Sequence, residues 1–290
     1  MFTDIDNATL FALLGFVTGV LGAILGTGGG VFIIPVLVLL FDIPMHYAVA
    51  SSIVSVVATS SAVASANVER GTANMPLGMT LEMATALGAI TGGLTAGALS
   101  ASSLETLFGI VLLPTAFLMW RGGEGAEPKG GDNKPATAKV SPPADATGKL
   151  GATFYDTNLG REVAYRVKNL WAGLLISFFA GNLSGLLGIG GGIFKVPGLN
   201  LACHIPIKAA VATSNFMIGV TAAASGFLYL GRGEVRPALT ASIVLGVLAG
   251  SIVGSYLNQF VGGRFVKRLF AVMLTGVAIQ MLSKVVFQWG

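Results

Sequence analysis

Apolar stretches separated by short polar or Gly/Pro punctuation run along most of the chain. Eight are of spanning length: Ala8–Leu25, Met45–Ala66, Leu77–Ser100, Leu104–Trp120, Asn169–Leu187, Ile207–Leu230, Pro237–Phe260 and Phe265–Phe287. Roughly 17 to 25 apolar residues cross a bilayer as an α-helix, so each predicts a membrane helix. Val31–Phe41 and Ile193–Cys203 are too short to cross alone. They are expected as half-helices or strongly tilted segments. The pattern predicts an all-α, polytopic membrane protein.

One region breaks the pattern. Residues 121–168 contain GGEGAEPKGGDNKPATAKVSPPADATGK, a Gly-, Pro- and Lys-rich stretch with too little apolar surface to fold alone. It divides the chain into a first membrane repeat (1–120), an extramembrane, cytoplasmic linker (121–168) and a second membrane repeat (169–290). Tyr155, Val163, Tyr165 and Val167 flank an Asn158/Gly160 turn signal, which predicts a small hairpin at the end of the linker.

Composition sharpens the picture. Of 290 residues 53% are hydrophobic and 10% charged, against about 25% charged in a soluble domain. Fourteen of the thirty charged residues lie within 121–168, so the rest of the chain is nearly uncharged. The net charge of +4 is not gathered into a basic face interleaved with aromatics, which argues against nucleic acid as a partner. The single cysteine, Cys203, excludes an intrachain disulfide framework. It is expected as a small buried hydrophobe. The opening MFTDIDNATL lacks the positive region of a cleavable signal, so the first apolar segment is expected to stay in the mature protein. No GxxxxGK[ST] loop occurs, which points to transport driven by gradients rather than by ATP. The two histidines, one cysteine and one carboxylate deep in an apolar run have no metal-ligand spacing. Neither a cofactor nor an intramembrane enzyme is expected.

The chain also repeats itself. A shift of 162 residues superposes Phe16–Gly71 on Phe178–Gly233 without a gap, and 22 of 56 positions are identical, among them Pro35/Pro197, Pro44/Pro206 and Ser52/Ser214. Two similar halves with interrupted hydrophobic segments at matching positions are the layout of a secondary transporter with repeat symmetry. With five segments per half, the halves have opposite orientation. An external N-terminus then puts Arg70, the linker, Lys208 and the Arg264/Lys267/Arg268 cluster inside, leaving Arg232 and Arg236 outside. This positive-inside bias favours two inverted repeats of about five segments over a parallel four-plus-four duplication.

The most informative repeats are GTGGG at Gly26–Gly30 and GIGGG at Gly188–Gly192. Each glycine costs a helix about 1 kcal/mol relative to alanine, so a run of them within an apolar stretch is expected to break it. Backbone freed in this way survives in a bilayer only inside protein or along a wet cavity. The half-helix that follows turns its positive dipole end toward the break, where an anion is stabilised without a full positive charge. Close helix packing is the plainer use of glycine in membranes. The repeated triplet favours a site at Thr27, Gly28, Gly29 and Gly30 together with Gly190, Gly191 and Gly192.

Polar groups near the breaks extend this candidate site. Lys195 stands three residues after the second triplet, where an unpaired ammonium costs about 2.5 to 3.5 kcal/mol. It needs a wet cavity, an anion or a carboxylate, and Glu82 is the carboxylate well inside an apolar run. Its repeat mate is Ile33, so the charge belongs to one half. Asn182, Ser214 and Asn215 around the second break, and Ser52 near the first, offer hydrogen bonds to an oxyanion, although such groups also hold helices together. His46 and Lys208 follow the two Ile-Pro dipeptides at matching positions and are candidates for gating at the membrane surfaces. Glu82 is the candidate for coupling to protons.

The two G-x-GGG-x-F-x-x-P elements, Gly26–Pro35 and Gly188–Pro197, together with IPIKAAVATSNFMIG from Ile205, resemble the sulfite exporter TauE/SafE family of membrane permeases. The resemblance covers both hydrophobic halves and leaves the linker aside. It implies a multi-pass protein of the cell (inner) membrane that moves sulfite, an organosulfonate or a related sulfur-containing anion, with coupling to protons or to another ion. An anion channel of the same architecture is the alternative.

Overall fold

The computed structural model describes residues 8–25, 28–121, 150–156 and 161–257, together with 272, 275, 276 and 278–280. Most of the expected linker, Thr27, the turn at 157–160 and most of the last apolar run lie outside the described residues. The first half contains α1 (Ala8–Leu25), α2 (Gly30–Leu40), α3 (Met45–Glu69), α4 (Met75–Ala98) and α5 (Ala101–Arg121). A hairpin of β1 (Ala152–Asp156) and β2 (Arg161–Tyr165) comes next. The second half continues with α6 (Leu170–Leu187), α7 (Gly192–Cys203), α8 (Ile207–Gly231) and α9 (Pro237–Leu257). Among the described residues, α3, α4, α6, α8 and α9 are long and apolar enough to cross a membrane. At 1.5 Å per residue α2 and α7 reach only about 16 to 18 Å, half a bilayer.

Local chemistry fixes the ends alike in both halves. α3 and α8 start after Pro44 and Pro206 and finish at Arg70 and Arg232. Gly71 and Gly233 then adopt positive φ and close the last turn onto the carbonyls of Val68 and Leu230. Asn74 caps α4 by accepting from the Leu77 amide at 3.1 Å.

Small residues set the packing. On α9, side chains at Gly246, Gly250 and Gly254 would collide with the backbone carbonyls of Ala12, Phe16 and Val20 on α1. On α6, side chains at Gly181 and Gly185 would collide with the carbonyls of Thr85 and Ala89 on α4. In both seams the residue numbers rise together, so α1 runs parallel to α9 and α4 parallel to α6. Phe16 against Gly250 and Phe178 against Gly88 are the same contact 162 residues apart. Each half therefore lends its first helix to the fourth helix of the other, with backbones in the close approach that small residues permit. The matched helices α3 and α8 meet at the centre. Gly219 lies against Ser60 and Gly226 against Ile53, so these two run antiparallel.

The hairpin sits over one end of the bundle. Its register pairs Ala152 with Tyr165 and Asp156 with Arg161. Phe154 and Tyr165 pack in a buried cluster with Leu77, Leu81, Leu199 and Cys203. Asn74 binds it down, donating to the Leu150 carbonyl at 2.8 Å and to Tyr165 Oη at 3.1 Å. Burial raises the Tyr165 phenol pKa above its ordinary value, partly offset by the Asn74 bond.

Candidate functional site

Both glycine runs break the helix, and in the same way. Gly28 and Gly29 have φ of 77° each, and Gly190 and Gly191 have 76° and 69°. Left-handed backbone is open to glycine and strained for other residues, so each pair turns the chain into the next helix, and in the second half Gly188, at φ 69°, has already closed α6 by donating to the Ser184 carbonyl. Gly29 returns beside the Thr18 carbonyl and Gly191 beside the Ala180 carbonyl, again 162 residues apart. α2 and α7 then begin alongside the last turns of α1 and α6. Their first amides to bond within the new helix are those of Phe32, to the Gly29 carbonyl at 3.0 Å, and Phe194, to the Gly191 carbonyl at 3.2 Å. The amides ahead of these have no acceptor inside their own helix and carry its positive end.

The two breaks meet. A Cβ on Gly30 would lie 2.6 Å from the Gly188 carbonyl oxygen and 2.6 Å from Ser52 Oγ. Ser52 donates to that carbonyl at 2.8 Å, which joins α3 of the first half to the break of the second. Gly28, Gly29 and Gly30 are buried, as are Gly188, Gly190, Gly191 and Gly192. Val49 and Ile34 wall Gly188, and Val56 and Ile218 wall Gly28. Ser214, the repeat mate of Ser52, is also buried, and its Oγ has no hydrogen-bond partner among the described residues. The mate of the Gly188 acceptor is Gly26, outside the described residues. Asn215 follows Ser214 on α8 and is buried.

One turn into α7 stands Lys195, with no solvent exposure. Its ammonium is held by α8 and α4. Nζ donates to Thr221 Oγ1 at 2.9 Å and lies 3.8 Å from Glu82 Oε2. The Thr221 hydroxyl reaches Glu82 Oε1 at 2.8 Å and the Met217 carbonyl at 2.9 Å. Glu82 is buried at 6% exposure, and its Oε2 has no hydrogen-bond partner among the described residues. A lysine from the second half and a glutamate from the first thus form an ion pair bridged by a threonine.

The other sequence candidates lie elsewhere. Asn182 is half-buried in the α4–α6 seam, where Nδ2 donates to Thr91 Oγ1 at 3.0 Å. It does not face the breaks. His46 opens α3 with Nδ1 3.9 Å from Glu234 Oε1, in the α8–α9 connection. Lys208 is exposed at the start of α8. Among the described residues no three His, Cys, Asp or Glu side chains gather as a metal site. Sequence reasoning missed Thr221, although its identity with Thr59 in the repeat was a usable signal. It also missed Glu234, for which there was none.

Comparison with known proteins extends the geometry. The family model described as sulfite exporter TauE/SafE matches residues 11–281. The probable membrane transporter protein YunE of Bacillus subtilis is 25% identical over 286 residues, 96% of this chain and 98% of that protein. The probable membrane transporter protein MJ0441 of Methanocaldococcus jannaschii is 25% identical over 289 residues, 94% of each. An Arabidopsis thaliana protein named sulfite exporter TauE/SafE family protein 6 is 32% identical over 118 residues, 40% of this chain and 27% of that protein. No solved structure matches. With a family match along nearly its whole length and a body of apolar helices, the chain is a multi-pass membrane protein of the sulfite exporter TauE/SafE family.

Proposed function

We propose that the protein is a secondary transporter of small anions in the cell membrane, with sulfite, organosulfonates and related sulfur oxyanions as its substrate class. The observation that carries this reading is the buried meeting of the two glycine breaks, Gly30 against Gly188, with Lys195 one turn along α7. In this reading the starts of α2 and α7 both face the anion and give it partial positive charge. Lys195 supplies the full charge once the anion competes with Glu82 for it. Sulfonates suit such a site because they stay ionised at neutral pH and offer three acceptor oxygens. Ser214 and Asn215, buried on α8, are the candidate donors, whereas the Ser52 hydroxyl already donates to the Gly188 carbonyl. Asn182 is a weaker candidate, because Thr91 already occupies its amide.

The two halves act as inverted repeats in this reading. The antiparallel course of α3 and α8, and the exchange of first and fourth helices between halves, support it. One half rocks against the other about the breaks and exposes the anion to each side in turn. The His46–Glu234 contact and Lys208 lie near opposite ends of the central pair and serve as surface gates.

The test is anion flux in proteoliposomes, offered as sulfite, thiosulfate, sulfoacetate and taurine. Saturable, gradient-driven flux is expected, and Gly191→Leu and Lys195→Ala should each reduce it at least tenfold while the protein still inserts. Full transport by both variants overturns the assignment. Conductance far above carrier turnover would favour a channel.

A further inference from the structure

Resting on that reading, the buried ion pair carries a further step. We propose that Glu82 is the proton carrier of the transport cycle: in the empty protein its carboxylate neutralises Lys195, and a monovalent anion replaces it there together with a proton that neutralises Glu82.

Three observations point this way. First, the fold does without these charges in its other half. The 162-residue offset, which holds through Gly88/Gly250 and Gly92/Gly254, matches Lys195, Thr221 and Glu82 with Ile33, Thr59 and Val244. Ile33 is fully buried in the apolar core, so the same helix arrangement packs there with no ion pair. Secondly, the pair is incompletely satisfied. A buried ion pair kept for structure needs its remaining polar atoms hydrogen-bonded to offset desolvation. Here Glu82 Oε2 has no hydrogen-bond partner among the described residues, and the Lys195 ammonium, with three donors, bonds Thr221 alone among them. Thirdly, Ser177 on α6 is buried without a partner for its Oγ among the described residues. It shares a face with Gly173, which abuts Leu81, and Gly181, which abuts Thr85. That puts Ser177 at the level of Glu82, where an arriving oxyanion would need a donor.

Charge counting does the rest. With Glu82 ionised and Lys195 protonated the cluster is neutral. A monovalent anion alone would leave a net negative charge buried in the protein, at high desolvation cost. The anion and one proton together keep it neutral, Glu82 becoming a carboxylic acid as the anion takes the ammonium. Among the described residues nothing nearby substitutes for Glu82 in this exchange. α6 has no ionisable side chain, and on α7 the other candidate is Cys203, packed against Gly173. On α8, Lys208 is exposed at the start, and Tyr229 donates to the Gly185 carbonyl at 3.0 Å. Lys195 is the charged group facing Glu82 among the described residues. By linkage, anion and proton strengthen each other's binding, so apparent anion affinity rises as pH falls, by up to about tenfold per pH unit.

The test uses the full chain in proteoliposomes carrying an internal pH dye. The probe is methanesulfonate, a monovalent anion that takes up no proton near neutral pH. The wild-type protein is expected to acidify the lumen as anion enters and to accumulate anion when the lumen is the alkaline side. In Glu82→Gln, whatever anion flux remains is expected to carry no proton and to give no pH-driven accumulation. Glu82→Asp should retain both. Anion entry without proton movement in the wild type overturns the inference and leaves the transporter assignment standing, as does undiminished coupling in Glu82→Gln. Absence of anion flux in the wild type overturns the reading beneath it.

Discussion

The two halves of the molecule build the same backbone around different chemistry. At the breaks they agree closely: Gly28–Gly29 and Gly190–Gly191 share left-handed φ values, and each pair folds back on the carbonyl of the matching helix. One turn further on they part. Ile33 lies in the apolar core on one side and Thr59 bonds back to the Ser55 carbonyl of its own helix, while Lys195, Thr221 and Glu82 make a buried ionic cluster on the other. The difference teaches that the broken helices belong to the architecture and that the charge is an addition to one half.

The sharpest way to break that comparison is to turn one half into the other. Lys195→Ile leaves Glu82 buried without its counter-charge, so it should cost about 3 to 5 kcal/mol of stability and abolish anion flux. Adding Glu82→Val should restore most of the stability, as thermal unfolding in detergent would read, yet none of the flux. If the single variant is as stable as the wild type, the ion pair is not buried as described.

Next come the breaks, where the halves should respond alike. Gly29→Leu and Gly191→Leu each force a side chain into left-handed backbone against a neighbouring carbonyl, at 3.0 Å and 2.8 Å from the Cβ. Each should lose about 2 to 4 kcal/mol and most of its transport. A large effect at one and none at the other would separate the two breaks in function.

Smaller effects follow from the hydrogen bonds. Ser52→Ala removes the donor to the buried Gly188 carbonyl and should cost about 1 to 2 kcal/mol, with a measurable rise in the anion concentration needed for half-maximal flux. Tyr165→Phe frees one Asn74 donor at the hairpin. It should cost about 0.5 to 1 kcal/mol and leave transport unchanged.

Much of this was legible in the sequence. The repeat, the helix breaks and the short half-helices follow from glycine triplets at one spacing, and the hairpin from alternating apolar residues around a turn signal. The need of Lys195 for a partner follows from its depth, and Glu82 was the carboxylate in reach. The facing of the helices was not legible, because lipid and protein core are both apolar and the hydrophobic period does not mark the inner side. Hence Asn182 reads as a break residue in sequence and faces α4 in the fold, while Thr221 passes unnoticed. The contact of Gly30 with Gly188 joins residues of different halves, and no local pattern encodes it.

The central claim is that the joined breaks and Lys195 form one anion site. Thermal unfolding of the purified protein, titrated with sulfite, thiosulfate, sulfoacetate and taurine, tests it most directly. Saturable stabilisation by at least one anion is predicted, reaching about 2.7 kcal/mol at a hundredfold excess over Kd, and lost in folded Lys195→Ala protein. No stabilisation by any of the four, or stabilisation that survives Lys195→Ala unchanged, would contradict it.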